Sequence, residues 1–440
     1  MYIWYDTDMH IFFSGIGGTG IGPLALIAKQ AGFTVSGSDK QDSQYIDYLQ
    51  SKDINDIHIG QTREALAQSH QNNPIDWFVY SSALPHENPD HPELIYVQEN
   101  NIKHSKRDMF LKYLLQDMNL KLVAIAGTHG KTTTTAMAIW VFKSLNIAAS
   151  YSVGAKISFG DMGQYDSSSE YFIYECDEYD RNFLSFDPHL SLISGLAWDH
   201  HDIYPSVEDY QEAFRDFLSQ SAWKYMWRSD LDFLSQETDD SFTILEDNSE
   251  GLQRITLPGI VNRRDAWLVV QGLQRITEVP IEKLIGIVNR FPGVSRRMEQ
   301  ITDNLFSDYA HTPEKLKGGT QAALEIAQEK SKKLIIVYEP LTNRRMYHTK
   351  EHHHDVFTGA EHIYWVPTYL AREDPSQVVL TPNQLVTFLD GDLQAIATPM
   401  ELNDTLKNTI RQHLKANDMI VCFSGGGGNS LDEWLRKEFN

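Results

Sequence analysis

The stretch AGTHGKTTTT, residues 126–135, joins an apolar strand, KLVAIA, to a helix-forming run and gathers Gly127, Thr128, His129, Gly130, Lys131, Thr132 and Thr133. Inward backbone N–H groups, an ammonium and a hydroxyl are what a nucleoside triphosphate and its Mg2+ require. The spacing is short. A phosphate loop of the usual length has glycine where Ile125 stands, and here the upstream glycine, Gly127, lies close to Gly130. The same residues can form a plain glycine turn with a solvated lysine, and spacing alone leaves that open. The strand–loop–helix order favours the cradle.

Downstream, YECDEYD ends a strand with Glu175, Asp177, Glu178 and Asp180. The next strand, LSLISGLAWDHHD, ends with Asp199, His200, His201 and Asp202, and SDYAHTPE carries Asp308 and His311. Ligands of an open α/β sheet bind beyond the carboxyl ends of its strands, and acidic oxygens suit Mg2+. Any one of these acids reads equally well as a solvated strand end. Two adjacent strands ending so, after a phosphate loop, are harder to read that way. Nearer the start, GIGGTGIG places Gly15, Gly17 and Gly20, with Gly18 and Thr19 between, after a strand at Ile11–Phe13 and before a helix through Leu24–Gln30. TVSGSD follows, with Ser38 and then Asp39 about twenty positions past the glycines, as a nucleotide-binding βαβ unit requires. WFVYSSAL ends a further strand at Ser81 and Ser82.

Elements that hold these residues alternate between strand and helix along the whole chain, which means parallel sheets covered on both faces. The expected fold is α/β with three consecutive domains at 1–118, 119–297 and 298–440. The first is Rossmann-like, the second a P-loop mononucleotide-binding domain, the third Rossmann-like again. A chain of 440 residues exceeds what one core supports. A formal charge of −22 argues against a nucleic-acid surface, and two cysteines distant in sequence imply no disulfide framework. No run is long enough to span a bilayer and no leader pattern brackets the apolar start. The expectation is a cytoplasmic protein, monomer or dimer, with no nucleic-acid or membrane partner.

In this order the motifs resemble those of the Mur ligases, ATP-dependent amide-forming enzymes of bacterial peptidoglycan synthesis, over essentially the whole chain. AGTHGKTTTT matches that family's short phosphate loop. GIGGTGIG with SGSD and VYSSALPHENP resemble the sugar-nucleotide domain of its alanine-adding branch, and ECDEYD, DHHDIY, RFPGVSRRME and DYAHTPE follow in family order. The resemblance implies ATP and Mg2+ as cofactors, with Lys131 and Thr132 on the phosphates and Thr132, Glu175 and His200 around the metal. It implies Asn262 and Asp265 near adenine, Asp308 near the ribose, and Arg297 approaching the phosphates. It puts His311 and Arg345 where the incoming amino acid is bound or the terminal phosphate is organised, and Gly15, Gly17, Gly18, Thr19, Gly20, Ser38, Asp39, Ser81 and Ser82 along UDP-N-acetylmuramate. The implied reaction activates a carboxylate as an acyl phosphate, which an amine then attacks. Closure of the third domain over the second would keep water out.

Departures from the pattern are Val261 for a histidine, Asp265 for an asparagine, Gly195 and Ala197 for polar residues, and no lysine in YQEAF. The acceptor is divided. The first domain and YLARED point to L-alanine, while DEYD, GVSRRME and EPLTNRRM resemble the recycling branch that attaches a short peptide, L-Ala-γ-D-Glu-diaminopimelate. Leu341 stands where the alanine branch has a histidine. L-alanine is favoured on the glycines of the first domain and on length. A nicotinamide oxidoreductase using Asp39 on the adenosine ribose leaves the phosphate loop without a role, and a non-catalytic nucleotide-gated scaffold leaves the acidic strand ends without one. EHHHD at 351–355 reads as helix surface rather than metal site, and SGGGGNS as a flexible loop before the last helix.

Overall fold

A computed structural model describes residues 9–200, 203–371 and 373–439. His201, Asp202 and Arg372 lie outside the described residues. The chain is α/β, with three sheets in succession. The first runs Ile57–Ile59, Thr34–Asp39, His10–Ser14, Trp77–Tyr80, Lys103–Lys106, all parallel. The second runs Phe242–Leu245, Trp223–Trp227, Leu190–Ile193, Lys121–Ala126, Tyr171–Glu175, Ala149–Ser152, Gly163–Gln164, with only its last pair antiparallel. The third runs Glu299–Thr302, Leu305–Asp308, Met419–Ser424, Leu334–Glu339, His362–Trp365, Ala397–Pro399, with its first pair antiparallel.

Strand order explains where the glycine loops fall. In the first sheet, His10–Ser14 lies between strands that the chain reaches by moving in opposite directions, and Gly15–Gly20 follow it directly. In the second, Lys121–Ala126 holds the same position and delivers Gly127–Gly130. Both loops therefore open at a topological switch point, where the flanking connections part and leave a crevice. His10–Ser14 is buried at every position and Lys121–Ala126 at all but its first residue, as central parallel strands covered by helices must be.

The first two sheets belong to one compact unit, with residues 265–291, and the third sheet to a second unit, with residues 256–264. Within the first unit the sheets are joined closely. Gly163 backs onto the main chain of Pro23, where no Cβ would fit. Lys52 reaches Asp161 at 3.0 Å, Ser82 Oγ donates to Asn182 at 3.1 Å, Lys106 pairs with Asp180, and Tyr165 N–H donates to Gln30 at 2.7 Å.

Several local readings change. The strand carrying ECDEYD stops at Glu175, and Asp180 and Arg181 adopt left-handed backbone at φ 55 in a tight turn. The strand before GLAWDHH ends at Ile193. HENPDHPE is partly helical, since Pro92 opens the helix Pro92–Glu99. In the second unit the first half of SGGGGNS packs closely, since a Cβ on Gly425 would meet the His311 ring at 2.9 Å and one on Gly426 the Tyr369 ring at 2.7 Å, whereas Gly427, Gly428 and Asn429 are exposed. Arg296 Nη2 donates to the carbonyls of Ser424 and Gly426, each at 2.8 Å.

Candidate active site

The phosphate loop is shaped by what lies behind it. Gly127 (φ 141) and Gly130 (φ 79) take backbone that side chains disfavour. A Cβ on Gly127 would stand 2.8 Å from Gly195 O, and one on Gly130 2.9 Å from both oxygens of Asp265, a residue buried under the loop. Thr128 locks the loop to the next strand end. Its N–H donates to Gly195 O at 2.8 Å, its hydroxyl to Ala197 O at 2.7 Å, and it accepts from Ala197 N–H at 2.8 Å. The substitutions at 195 and 197 thus have a local reason. Gly195 makes room for the His129 ring, which any Cβ there would strike, and Ala197 contributes only its backbone.

Helix Lys131–Ser144 starts directly from the loop and sets Lys131 and Thr132 at its first turn. Lys131 Nζ donates to Gly127 O and to Glu178 Oε2, both at 2.6 Å. Thr132 Oγ1 donates to Glu175 Oε1 at 2.8 Å, and Glu175 also accepts from Gly154 N–H at 3.1 Å. Burial opposes the Lys131 charge, but Glu178 and Asp177 outweigh it and hold the ammonium above the ordinary lysine pKa. For Asp177 burial acts upward, and Lys131 and Arg107 overcome it and bring the carboxyl below its usual value.

His200 Nε2 lies 3.6 Å from Glu178 Oε1, an atom that is buried without a hydrogen-bond partner. Asp177, Glu178 and His200 can each offer a ligand atom, all within 4.8 Å of one another, the only such group among the described residues. Two carboxylates and an imidazole suit a divalent cation, and the lone Glu178 oxygen supplies the donor that a bound ion would satisfy. The predicted Lys131, Thr132 and Glu175 come together, whereas His200 faces Glu178 rather than Glu175. Glu178 was visible among the acids, yet strand alternation gave no reason to prefer it. The chain leaves the strand at Glu175, and Glu178 in the segment that follows reaches Lys131.

At the first loop Gly15 (φ 82) and Ile16 donate to Ser38 O at 2.8 and 3.0 Å, and Gly17 N–H donates to Asp39 Oδ2 at 2.9 Å. Asp39 therefore braces the glycine loop itself. Gly18 and Thr19 are exposed at its tip. Ser38 is fully buried; its hydroxyl and that of Ser14 each donate to Glu93 at 2.6 Å. Burial pushes Glu93 up to about 7, against the pull of those two hydroxyls. Ser82 is tied to Asn182, and Ser81 is half-buried beside it.

The second unit holds the remaining predicted residues. Both Asp308 oxygens accept backbone N–H groups, from Met298 and Ala310 at 2.8 Å each. The Arg296 and Arg297 guanidinium groups both lie over the Tyr309 ring, at 4.7 and 4.9 Å from its centroid. Burial drives His311 well below the ordinary histidine pKa, and Lys315, Arg345 and Arg297 push the same way, so His311 is neutral within a cationic cluster. Asn262 Nδ2 donates to Pro258 O at 2.8 Å in the first turn of helix Ile260–Thr277, with Val261 exposed beside it. In EHHHD, His353 is buried and its ring nitrogens face Thr349 O at 2.8 Å and Tyr338 Oη at 3.3 Å.

Residues 10–118 match the Mur ligase family catalytic domain, and residues 125–231 match the Mur ligase middle domain. The UDP-N-acetylmuramate–L-alanine ligase of Clostridium novyi (strain NT) is 28% identical, over 88% of this chain and 93% of the relative. That of Agathobacter rectalis is 26% identical over 99% of both. Among solved structures, the UDP-N-acetylmuramate-alanine ligase of Thermotoga maritima superposes with a TM-score of 0.75 at 20% identity, covering 98% of each chain. A murein peptide ligase from Psychrobacter arcticus 273-4 gives 0.58 at 22% identity, over 95% of this chain and 96% of that one. With its phosphate loop and its acidic strand ends, this chain carries the catalytic and middle domains of the Mur ligase family in order, at residues 10–118 and 125–231.

Proposed function

We propose that the protein is an ATP-dependent, ADP-forming ligase that joins L-alanine to the lactyl carboxylate of UDP-N-acetylmuramate. The observation that carries this reading is the Lys131–Glu178 pair at the phosphate loop, beside the group Asp177, Glu178 and His200. The curated relatives named above support the acceptor, as does the higher structural similarity to an alanine ligase than to a murein peptide ligase. The proposed domains are a sugar-nucleotide domain at 1–118, an ATP domain at 119–297 and an acceptor domain at 298–440. No helix among the described residues is long and apolar enough to cross a membrane.

The chemistry follows from charge. A carboxylate attacking a terminal phosphate brings like charges together, so cations must already be in place. Mg2+, when bound, would supply part of that neutralisation, with Thr132, Glu175, His200 and the newly grouped Asp177 and Glu178 as its candidate holders. Lys131 contributes a fixed ammonium once it turns from Glu178 towards phosphate. Gly127–Thr133 present backbone and hydroxyl donors at the helix start. In the second unit, Arg345 is the candidate for the acceptor carboxylate, because its guanidinium can grip it through two hydrogen bonds; its Nη1 is buried without a hydrogen-bond partner. A neutral His311 in the same cationic cluster keeps a ring nitrogen that can accept a hydrogen bond from the incoming amine and orient it.

The test is direct. Purified protein with ATP, Mg2+ and UDP-N-acetylmuramate releases phosphate when L-alanine is added. Release with L-Ala-γ-D-Glu-diaminopimelate, and none with L-alanine, would replace this acceptor by the peptide.

A further inference from the structure

The sugar-nucleotide loop GIGGTGIG contains no cation, and the chain carries a formal charge of −22. A doubly charged ligand group bound there needs a positive partner from elsewhere in the fold. Arg107, at the start of helix Arg107–Asp117, is brought to that loop. Its Nη1 occupies the place that a Cβ on Gly20 would take, so the missing side chain of Gly20 is its seat. Its side chain is only 16% exposed, and its Nε is buried without a hydrogen-bond partner.

The acids near Arg107 hold it loosely. Nη2 is 3.5 Å from Asp177 Oδ2 and Nε is 3.6 Å from Asp108 Oδ1, against roughly 2.7–2.9 Å for a close charged pair. A guanidinium has five donors in a planar fork. One long hydrogen bond leaves most of that fork unspent, beside a loop whose backbone and following helix already favour an anion.

We propose that Arg107 is the residue that grips the diphosphate of the sugar nucleotide at the Gly15–Gly20 loop. This rests on the first domain binding a UDP-linked sugar, as read above. Arg107 is then a substrate-binding residue that the motif pattern did not mark, because it comes from a helix remote in sequence from the glycines.

Binding of UDP-N-acetylmuramate, UDP and uridine is measured on the full chain by calorimetry, with ligand-observed NMR for weak binding. The wild type is compared with Arg107→Gln and Arg107→Lys, with thermal unfolding as the check on folding. Arg107→Gln weakens UDP and UDP-N-acetylmuramate by about 10- to 100-fold and leaves uridine unchanged. Arg107→Lys, keeping the charge without the fork, recovers part of the loss and keeps the proposal testable if the glutamine variant does not fold. Equal loss of uridine would make Arg107 a purely structural residue, and unchanged UDP affinity would overturn the proposal outright. A wild type that binds neither UDP nor UDP-N-acetylmuramate would instead remove the reading beneath it.

Discussion

Glu93 shows how much of the first site depends on a residue with no motif of its own. It receives the hydroxyls of Ser14 and Ser38, one from each of two neighbouring strands, at the base of the glycine loop, with Asp39 adding like charge nearby. Its carboxyl is raised from 4.5 to about 7 by burial. The folded chain therefore binds the proton more tightly than the unfolded chain. The stability this contributes is fully present below about pH 4.5 and is lost as pH rises through about 7. The shift corresponds to about 3 kcal/mol. Denaturant unfolding at pH 5 and pH 8 should show wild type losing stability across that interval, and Glu93→Gln losing less by an amount of that order. Parallel behaviour of the two proteins would refute it. Residues legible from the sequence, such as Lys131, Thr132 and Glu175, sit next to one another because a short loop and a strand end put them there. Glu93, Arg107 and the Lys131 partner Glu178 reach their places through tertiary packing, which no local pattern encodes.

Helices with strong end signals were the most legible elements. Val207–Gln220 begins with Ser206 and Asp209 in a reciprocal capping box, and its buried residues follow helical spacing. Ser206→Ala should cost about 1 kcal/mol in denaturant unfolding without altering ligand affinity. A cost near zero would mean that packing of Tyr210, Phe214 and Phe217 alone fixes the helix start. Short edge strands such as Ile57–Ile59 and Gly163–Gln164 escaped notice, being too brief to show alternation. The strand Tyr171–Glu175 is shorter than its sequence suggests, because the acids after it continue the apparent pattern. Only the left-handed pair Asp180 and Arg181 reveals the turn, and neither residue type demands that conformation. SGGGGNS is a loop whose first half alone is packed, and its composition does not show where the packing stops. Glycine permits flexibility, but here it admits His311 and Tyr369 against the backbone.

In the proposed reading the glycine loop of the first sheet and the phosphate loop of the second hold different ligands, and this bears on the Lys131→Ala variant. ATP turnover should be abolished while UDP-N-acetylmuramate affinity stays close to wild type, as calorimetry would report. Equal loss of both would contradict the division. The same substitution strands Glu178, whose side chain is fully buried, so stability should fall by about 3 kcal/mol or more. Adding Glu178→Gln should restore much of that stability and none of the turnover. The three-sheet α/β order was legible because each sheet repeats strand and helix. The tight joining of the first two sheets was not, since Gly163 and Pro23 lie far apart in sequence. That joint has a further consequence. With main chain packed on main chain and two ion pairs joining the same two sheets, the first sheet should not open alone. Amide hydrogens of His10–Ser14 and Lys121–Ala126 should exchange with solvent at a common opening free energy. A fragment cut near residue 118 would then be missing half of its own cooperative unit rather than standing as a smaller, independent fold.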